Sequence, residues 1–377
     1  MIRRYQINYA SERLFKGKAL IIYGPRQVGK TTFVELLLGQ IGDQKVLRLN
    51  GDDADTRSIL SEPNQTMLQA LIGSHTILFI DEAQRISNVG VLIKIIVDRI
   101  KEVQVIATGS SSFELASNIN EPLTGRKYEM HLLPLAYHEL VGYSDLLSEN
   151  RLTEQRLIYG AYPEIVTHPE RAMEHLKLLT DSYLYKDLFT LEKINKPQLL
   201  QKIVKALALQ VGSEVSISEI SRLVGADNKT VEKYISLLEM AFVIFALPAI
   251  SRNIRNEIRK GRKIYFYDNG ILNAVTGNFV PTENRKDIGA LWENYLVSER
   301  IKWQHLQNIS VQSYFWRTTQ QQEIDFIEES PNKLLAVEFK WNNKAQKRFS
   351  TTFLKAYPEA ETLIVSQKNR HEFLSIT

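Results

Sequence analysis

The fold of the first part of this 377-residue chain is decided by Gly24-Pro25-Arg26-Gln27-Val28-Gly29-Lys30-Thr31-Thr32. A short apolar run, KALIIY at 18–23, precedes this stretch, and a helical pattern follows from Phe33. The form G-x-x-x-x-G-K-[ST] between a strand and a helix is the context that makes this motif specific for nucleotide phosphates. Glycines let backbone N–H groups converge on phosphate oxygens, and the start of a helix adds a favourable dipole. All nine residues are predicted to line an ATP site, with Lys30 at the β- and γ-phosphates and the Thr31 hydroxyl on Mg²⁺.

Two acids end the next strongly apolar run, ILFI at 77–80. Asp81 lies at the predicted end of this strand, where a carboxylate suits the shell of the magnesium ion. Glu82 follows directly and suits a base that polarises the attacking water. The alternative is that this is an ordinary buried strand followed by polar residues, in which case Asp81 and Glu82 have no role in hydrolysis.

Two further positions are candidates for the same site. The strand VQVIA at 103–107 leads into TGSSS at 108–112, and functional side chains collect at the carboxyl ends of parallel strands. Ser110 is expected there to sense the γ-phosphate or to position water, although Ser and Gly also favour plain turns. Arg126 is a candidate for the cation that stabilises the transition state, from its own subunit or from a neighbour. The alternative is an ordinary solvated loop arginine.

Strands alternate with helical segments over the first 140 residues, which predicts an α/β fold with a parallel sheet covered by helices on both faces. The segments GPRQVGKTT at 24–32, ILFIDEAQ at 77–84, ATGSSS at 107–112 and LTGR at 123–126 resemble the AAA+-superfamily ATPases of bacteria and archaea. The resemblance covers almost the whole chain. It implies an AAA+-like P-loop NTPase fold and a restriction-endonuclease-like α/β domain at the C-terminus.

Four domains are predicted from these patterns. They are a P-loop AAA+-like ATPase domain at 1–140, a helical linker or lid at 141–198, a winged-helix domain at 199–280 and a nuclease-like domain at 281–377.

The winged-helix interpretation rests on two short helices around a glycine turn, followed by two strands. The helices are predicted at 218–224 and 229–240, with the turn at 225–228. In such a fold the second helix begins with the side chains that read bases. Winged helices also serve as protein-binding modules, so a protein partner remains an alternative.

Charge is unevenly distributed along the chain, which has 47 basic and 43 acidic residues. Residues 1–150 hold 16 basic and 17 acidic residues, whereas residues 151–377 hold 31 and 26. The highest local density of positive charge is in Ser251–Lys263, which has six basic residues and one acid. Contact with phosphates would explain it, so DNA is the predicted partner through the winged helix and this segment. A solvated hairpin or an internal contact between domains is the alternative.

Four groups near the C-terminus follow the order of the PD-(D/E)xK nuclease signature. Glu293 lies on a predicted helix, Asp325 on a strand, and Glu338 and Lys340 two residues apart on the next strand. Residues two apart on a strand point to the same face, so Glu338 and Lys340 can meet Asp325. Asp325 and Glu338 would share Mg²⁺, and Lys340 would orient water or stabilise phosphate charge.

Departures from the signature leave the nuclease activity open. Ile324 stands where proline is usual, and many domains of this fold have lost activity. Gln322 and Glu323, beside Asp325, are further candidates for the same site.

Composition excludes several classes of protein. With 44% hydrophobic and 24% charged residues, the chain is globular and not disordered or fibrous. Cysteine is absent, which excludes disulfides, thiolate metal sites and thiol catalysis. No run approaches the roughly 18 apolar residues of a membrane helix, so a cytoplasmic protein without a membrane partner is expected. A homo-oligomer is compatible with the resemblance, because AAA+ relatives often form rings.

The function expected from these residues is ATP binding and hydrolysis by an AAA+-like protein that acts on DNA and carries a Mg²⁺-dependent nuclease site. The alternative is a nucleotide-dependent switch or sensor that binds a protein partner and has an inactive nuclease-like domain. A kinase is disfavoured because no acceptor-binding motif accompanies the P-loop.

Overall fold

The computed structural model describes residues 2–110, 123–184, 197–250, 261–318, 320–342 and 349–376. The chain divides into two compact units. The N-terminal unit runs to Leu135 and includes Met240–Phe242, and the C-terminal unit comprises Ala136–Glu239 and Val243 onwards. The C-terminal unit therefore takes in the three parts that the sequence separates, and the four-domain division stays a prediction.

A five-stranded parallel sheet forms the centre of the N-terminal unit, in the order β2-β3-β4-β1-β5. Its strands are β1 (Ala19–Tyr23), β2 (Val46–Asn50), β3 (Ile77–Asp81), β4 (Gln104–Gly109) and β5 (Lys127–His131). Every residue of β1 and β4 is buried, whereas the edge strands β2 and β5 are partly exposed. The helices are α1 (Ile7–Ser11), α2 (Lys30–Gln40), α3 (Ala54–Ile59), α4 (Gln65–Ile72) and α5 (Val89–Arg99).

Alternation of side chains along β1 explains why helices cover both faces of this sheet. Leu20 and Ile22 join one core cluster with Ile7 of α1 and Phe33 of α2. Ile21 points to the opposite face and is also fully buried. The predicted P-loop NTPase fold, a parallel sheet with helices on both faces, is confirmed.

Short helices and a small antiparallel sheet make up the first part of the C-terminal unit. The sheet has the order β6-β8-β7, with β6 at Glu214–Val215, β7 at Ile244–Pro248 and β8 at Arg262–Phe266. The helices are α6 (Tyr137–Tyr143), α7 (Leu146–Arg151), α8 (Thr153–Tyr159), α9 (Pro163–Thr167), α10 (Ala172–Leu178), α11 (Pro197–Ala208), α12 (Ile217–Val224), α13 (Asn228–Met240) and α14 (Asn269–Thr276). The two helices expected around the glycine turn are α12 and α13, and Gly225 ends α12 with a φ of 72°.

A four-stranded mixed sheet and one long helix form the rest of the C-terminal unit. The sheet has the order β12-β11-β10-β9, and β11 and β12 are the parallel pair. Its elements are β9 (Gln312–Arg317), β10 (Glu323–Ser330), β11 (Lys333–Phe339), β12 (Glu361–Val365), α15 (Ile288–Gln307), α16 (Thr351–Ala356) and α17 (Arg370–Leu374). Arg300 of α15 is fully buried and pairs with Glu328 of β10 at 2.6 Å, which fixes the helix against the sheet.

Over the described ranges, no helix combines the length and the apolar character needed to cross a bilayer.

Candidate functional site

The loop between β1 and α2 lies at the carboxyl edge of the parallel sheet and is tightly constrained. A Cβ at Gly24 would lie only 2.1 Å from the carbonyl oxygen of Leu132, so no side chain can be accommodated there. Gly29 precedes α2 with a φ of 89°, in the left-handed region that favours glycine. The two glycines of the motif are therefore required by the backbone path.

Lys30 begins α2, and its side chain folds back over the loop. Its ammonium donates to the carbonyl oxygens of Gly24 at 2.9 Å and Pro25 at 3.0 Å. Both acceptors are neutral, and charged phosphate oxygens make stronger hydrogen bonds to an ammonium. Thr31 and Thr32 follow in the first turn of α2, where backbone N–H groups lack helical partners and favour anions. This end of α2 can therefore hold a chain of phosphates.

The two residues predicted to bind Mg²⁺ lie together. The Thr31 hydroxyl donates to Asp81 Oδ2 at 2.8 Å. Asp81 Oδ1 accepts from the Thr108 hydroxyl, and from the Glu82 backbone N–H at 3.2 Å. A hydroxyl and a carboxylate oxygen are hard ligands of the kind that Mg²⁺ takes beside phosphate oxygens. The donor set therefore fits the ion.

Glu82 is connected to Ser110 through the side chain of Gln84. Gln84 Nε2 donates to Glu82 Oε2, and to Ser110 Oγ at 3.2 Å. Glu82 itself has a φ of 48°, and this left-handed residue ends the run of β3 and starts a short 3₁₀ turn at Ala83–Arg85. The predicted base and the predicted γ-phosphate sensor thus share one hydrogen-bonded partner.

Strand order brings these groups together. β4 lies between β1 and β3, with Tyr23 opposite Gly109 and Ile80 opposite Ala107. The end of β4 therefore lies between the phosphate loop and the acids that end β3, and Ser110 follows directly.

Two residues of this region have contacts that the sequence motifs do not predict. Gln84 ends the ILFIDEAQ segment at 77–84, and its polar amide soon after the two acids is the signal that could have identified it. Arg4 is buried and donates to the carbonyl oxygens of Val28 at 3.3 Å and Leu133 at 2.6 Å, which ties the loop to the segment after β5. Nothing in the pattern around Arg4 distinguishes it from its basic neighbour Arg3.

Arg126 lies at the opposite edge of the sheet, so one of its two predicted roles is wrong. Its carbonyl oxygen accepts from the N–H of Ala19, the first residue of β1, whereas the phosphate loop follows the last residue of β1. Five strand residues at about 3.3 Å each separate the two edges by roughly 16 Å. Arg126 instead pairs with Asp98 of α5 at 2.8 Å. It cannot complete the site of its own subunit, and supply to a neighbouring subunit stays a prediction.

The C-terminal unit gathers the residues of the nuclease-like signature. Lys340 Nζ lies 3.0 Å from Glu338 Oε2 and 3.8 Å from Asp325 Oδ2. Asp325 Oδ2 also accepts from the Phe339 backbone N–H at 2.8 Å. The two carboxylates predicted to share Mg²⁺ therefore share the Lys340 ammonium, because β10 and β11 are neighbours in the sheet.

Lys263 enters the same cluster from β8, and this overturns its predicted place on a DNA-binding surface. Its side chain is fully buried, and Nζ lies 3.0 Å from Glu293 Oε1 of α15. It also pairs with Glu323 of β10. Glu293 Oε1 accepts a second hydrogen bond, from the Tyr265 hydroxyl at 2.7 Å. Residues 251–260 of the predicted DNA-contacting segment lie outside the described residues.

Burial and neighbouring charges shift the pKa values in this cluster. The pKa of Glu293 is raised to about 7, mainly by burial; Lys263 opposes the rise and Asp325 contributes to it. Burial alone would lower the pKa of the Lys263 ammonium, but Glu293 and Glu323 hold it above its usual value. Lys263 is therefore charged at neutral pH, and Glu293 titrates near neutrality.

A divalent cation does not fit this cluster as it stands. Within the part of the chain that the structure describes, no three His, Asp or Glu side chains are arranged to hold a metal ion. The two carboxylates that the signature would offer to Mg²⁺ both lie within 4 Å of the Lys340 ammonium, and the neighbouring Glu293 and Glu323 pair with Lys263. The predicted metal ligands Asp325 and Glu338 are close together, but the charge between them comes from Lys340.

The raised pKa of Glu293 predicts how stability changes with pH. The folded state keeps a proton on Glu293 up to about pH 7, whereas the ordinary value is 4.5. A raised pKa gives stability below the unfolded value that is lost as pH rises through the folded value, by at most about 1.4 kcal/mol per pH unit. We expect the free energy of unfolding to fall between these two pH values in the parent, and to fall less in Glu293→Gln. Urea denaturation at several pH values measures this, and equal slopes in the two proteins would contradict it.

Family profiles match the chain in three segments. Residues 16–141 match an AAA domain, residues 150–282 match a domain of unknown function (DUF8612), and residues 288–376 match another domain of unknown function (DUF4143). The first match covers the phosphate loop and the acids that end β3. It supports an AAA+-like ATPase. The match at 288–376 names no activity, so the restriction-endonuclease-like assignment stays a prediction.

Relatives extend over most of the chain. An uncharacterized protein of Mycobacterium tuberculosis is 27% identical over 334 residues, which are 87% of this chain and 71% of the relative. An uncharacterized protein of Methanocaldococcus jannaschii is 24% identical over 369 residues, which are 92% of this chain and 80% of the relative. Among solved structures, a Walker-type ATPase of Pyrococcus abyssi aligns with a TM-score of 0.49 and 15% identity, over 73% of this chain and 96% of that one.

Proposed function

We propose that the N-terminal unit binds ATP with Mg²⁺ and hydrolyses it at the edge of the sheet where β1, β3 and β4 end. The observation that carries this proposal is the convergence of the Thr31 hydroxyl, the Asp81 carboxylate and the Glu82–Gln84–Ser110 contacts beside the phosphate loop. An AAA-domain match over residues 16–141 supports it independently.

Each group has a distinct part in the reaction. The loop N–H groups and Lys30 bind the phosphates, and Thr31 and Asp81 hold the Mg²⁺, which neutralises phosphate charge when bound. Glu82 accepts a hydrogen bond from the attacking water and orients it towards the γ-phosphorus. Gln84 donates to the Glu82 carboxylate and so fixes the direction in which that carboxylate faces.

Replacing Lys30 by alanine tests this proposal. Lys30→Ala removes a positive charge from the β- and γ-phosphates, so phosphate release from Mg-ATP should fall to the background rate. The matched control is Lys45→Ala, because Lys45 is an exposed lysine of the same unit that contacts Ser74 at 3.4 Å. Phosphate release at the parent rate in Lys30→Ala would refute hydrolysis at this site.

We propose further that the C-terminal unit binds DNA through α12 and α13 as a winged helix. Lys229 and Lys233 support this proposal, because both are exposed and lie one turn apart on α13. Arg262, at the end of the predicted basic segment, pairs with Glu232 at 3.6 Å and contributes less. A protein partner for the same helices remains the alternative function, that of a nucleotide-dependent switch.

Salt dependence separates phosphate contact from other modes of binding. Lys229→Ala/Lys233→Ala should weaken DNA binding and reduce the slope of log affinity against log salt by about 0.9 for each phosphate that is no longer neutralised. Lys333→Ala/Lys355→Ala removes the same charge elsewhere in this unit and should leave the slope unchanged. Fluorescence anisotropy with a labelled duplex measures both. If the two double variants have the same slope of log affinity against log salt, α13 does not contact DNA phosphates.

Metal-dependent cleavage of DNA at Asp325, Glu338 and Lys340 is the remaining function that the sequence predicts. It requires a divalent cation among the carboxylates of the C-terminal unit. The position of Lys263 bears directly on this requirement.

A further inference from the structure

We propose that Lys263 supplies the positive charge that a divalent cation supplies in metal-dependent nucleases, so that this cluster binds no divalent cation and does not cleave nucleic acid. The proposal concerns the C-terminal unit and is independent of ATP hydrolysis in the N-terminal unit.

The arrangement of charges is the first argument. Four carboxylates meet two ammonium groups, and each ammonium lies between two carboxylates. Lys340 lies between Asp325 and Glu338, and Lys263 lies between Glu293 and Glu323. Lys263 has no solvent-exposed side-chain surface, so water screens its attraction to these acids only weakly. An uncompensated carboxylate in such a site is strongly disfavoured.

The hydrogen bonds at Glu293 are the second argument. Its Oε1 accepts from Lys263 at 3.0 Å and from the Tyr265 hydroxyl at 2.7 Å. A carboxylate oxygen has about two lone-pair positions, so both positions of Oε1 are engaged. A metal ion on this oxygen would have to displace one of the two donors and would face the Lys263 charge at close range.

The anchoring of β8 is the third argument, because it limits how far Lys263 can withdraw. β8 pairs along its length with β7. Just after β7, the backbone N–H of Ile250 donates to the carbonyl oxygen of Phe315 in β9 of the four-stranded sheet, at 2.8 Å. Arg317 of β9 lies 3.5 Å from Glu214 of β6. The Lys263 ammonium also lies 5.5 Å from the centre of the Phe315 ring. The small sheet that carries Lys263 is thus joined to the sheet that carries Glu323 and Asp325.

A Mn²⁺ titration of the full-length chain tests the proposal. It uses the Asp81→Asn variant without nucleotide, because this variant lacks the carboxylate that would bind metal in the proposed ATP site. Isothermal titration calorimetry and electron paramagnetic resonance should detect no saturable Mn²⁺ binding at millimolar concentration. Saturable binding that disappears on adding Asp325→Asn would overturn the proposal.

Removing the lysine is the complementary test. In the same background, Lys263→Ala should gain a Mn²⁺ site that Asp325→Asn abolishes, whereas Lys263→Arg should keep the behaviour of its parent. The matched control is Lys302→Ala, because Lys302 is also buried and pairs with Glu299 at 2.8 Å, a carboxylate outside this cluster. It should gain no site. A folded Lys263→Ala protein that gains no Mn²⁺ site would also overturn the proposal, and if this variant does not fold, the titration of the parent decides.

Cleavage is the functional readout of the same inference. The parent chain should leave supercoiled plasmid intact with Mg²⁺ or Mn²⁺. Nicking by the parent that is lost in Asp325→Asn would establish a working nuclease site and refute the proposed role of Lys263.

Discussion

Replacing Glu82 by glutamine should leave ATP binding intact and lower the rate of hydrolysis by at least about 100-fold, the smaller end of what a positioned general base contributes. Binding rests on the loop N–H groups, Lys30 and the Thr31–Asp81 pair, none of which the substitution removes. Glutamine has nearly the same shape as glutamate but cannot accept a proton from water. The affinity for a fluorescent ATP analogue and the rate of phosphate release measure the two effects separately.

A matched substitution on the surface controls for general damage. Glu35 is an exposed residue of α2 that pairs with Arg48 at 2.9 Å, and Glu35→Gln should hydrolyse ATP at the parent rate. If Glu82→Gln also retains the parent rate, Glu82 is not the base. If Glu82→Gln also loses ATP binding, the substitution has disturbed the phosphate loop. Glu82 then has a structural role, which its hydrogen bond with Gln84 would explain.

The geometry around the phosphate loop was the most predictable part of the molecule, because it is encoded locally. A Cβ at position 24 would lie 2.1 Å from the carbonyl oxygen of Leu132, so this position requires glycine. Because α2 must also start at Lys30, few sequences can form this loop. Asp81 could be placed beside Thr31 because parallel strands end at the same edge of the sheet. Gln84 was missed because its contacts depend on the 3₁₀ turn that follows Glu82, which the sequence does not reveal.

Arg126 shows an error of a different kind. It precedes β5, and the residue before a parallel strand lies at the edge opposite to the carboxyl ends. The rule that predicts Ser110 beside the loop therefore also excludes Arg126 from the same subunit's site. The position of Arg126 before a predicted strand is visible in the sequence.

Lys263 could not be placed from charge alone. A count of basic residues along Ser251–Lys263 cannot tell which of them face water. The period of two along β8 puts Lys263 and Tyr265 on one face, and both contact Glu293. The partner carboxylates come from residues 30 and 60 positions further along the chain, so only the tertiary fold brings them to this face.

Replacing Lys263 by methionine should destabilise the C-terminal unit by about 3–5 kcal/mol at about pH 8, the usual cost of breaking a buried ion pair on one side. The estimate for buried pairs applies because Lys263 has no exposed side-chain surface, and Glu293 and Glu323 expose only 15% and 25% of theirs. Without the ammonium, Glu293 and Glu323 lose the buried positive charge between them, while Arg317 at 3.7 Å from Glu323 and Lys340 at 3.8 Å from Asp325 remain. Urea denaturation followed by tryptophan fluorescence measures the destabilisation, since all four tryptophans lie in this unit.

The dependence of this destabilisation on pH and on Glu293 distinguishes an effect of charge from an effect of packing. At about pH 5 the destabilisation should shrink, because Glu293, with a pKa of about 7 even beside Lys263, is then protonated and no longer needs the ammonium. Lys263→Met/Glu293→Gln should recover part of the stability at pH 8 for the same reason. Lys333→Met serves as the control, because Lys333 pairs with Glu361 at 2.9 Å on the surface, where such pairs contribute about 0–1 kcal/mol. A destabilisation by Lys263→Met that is as small as for Lys333→Met, or that does not change with pH, would mean that the cluster tolerates its carboxylates without Lys263.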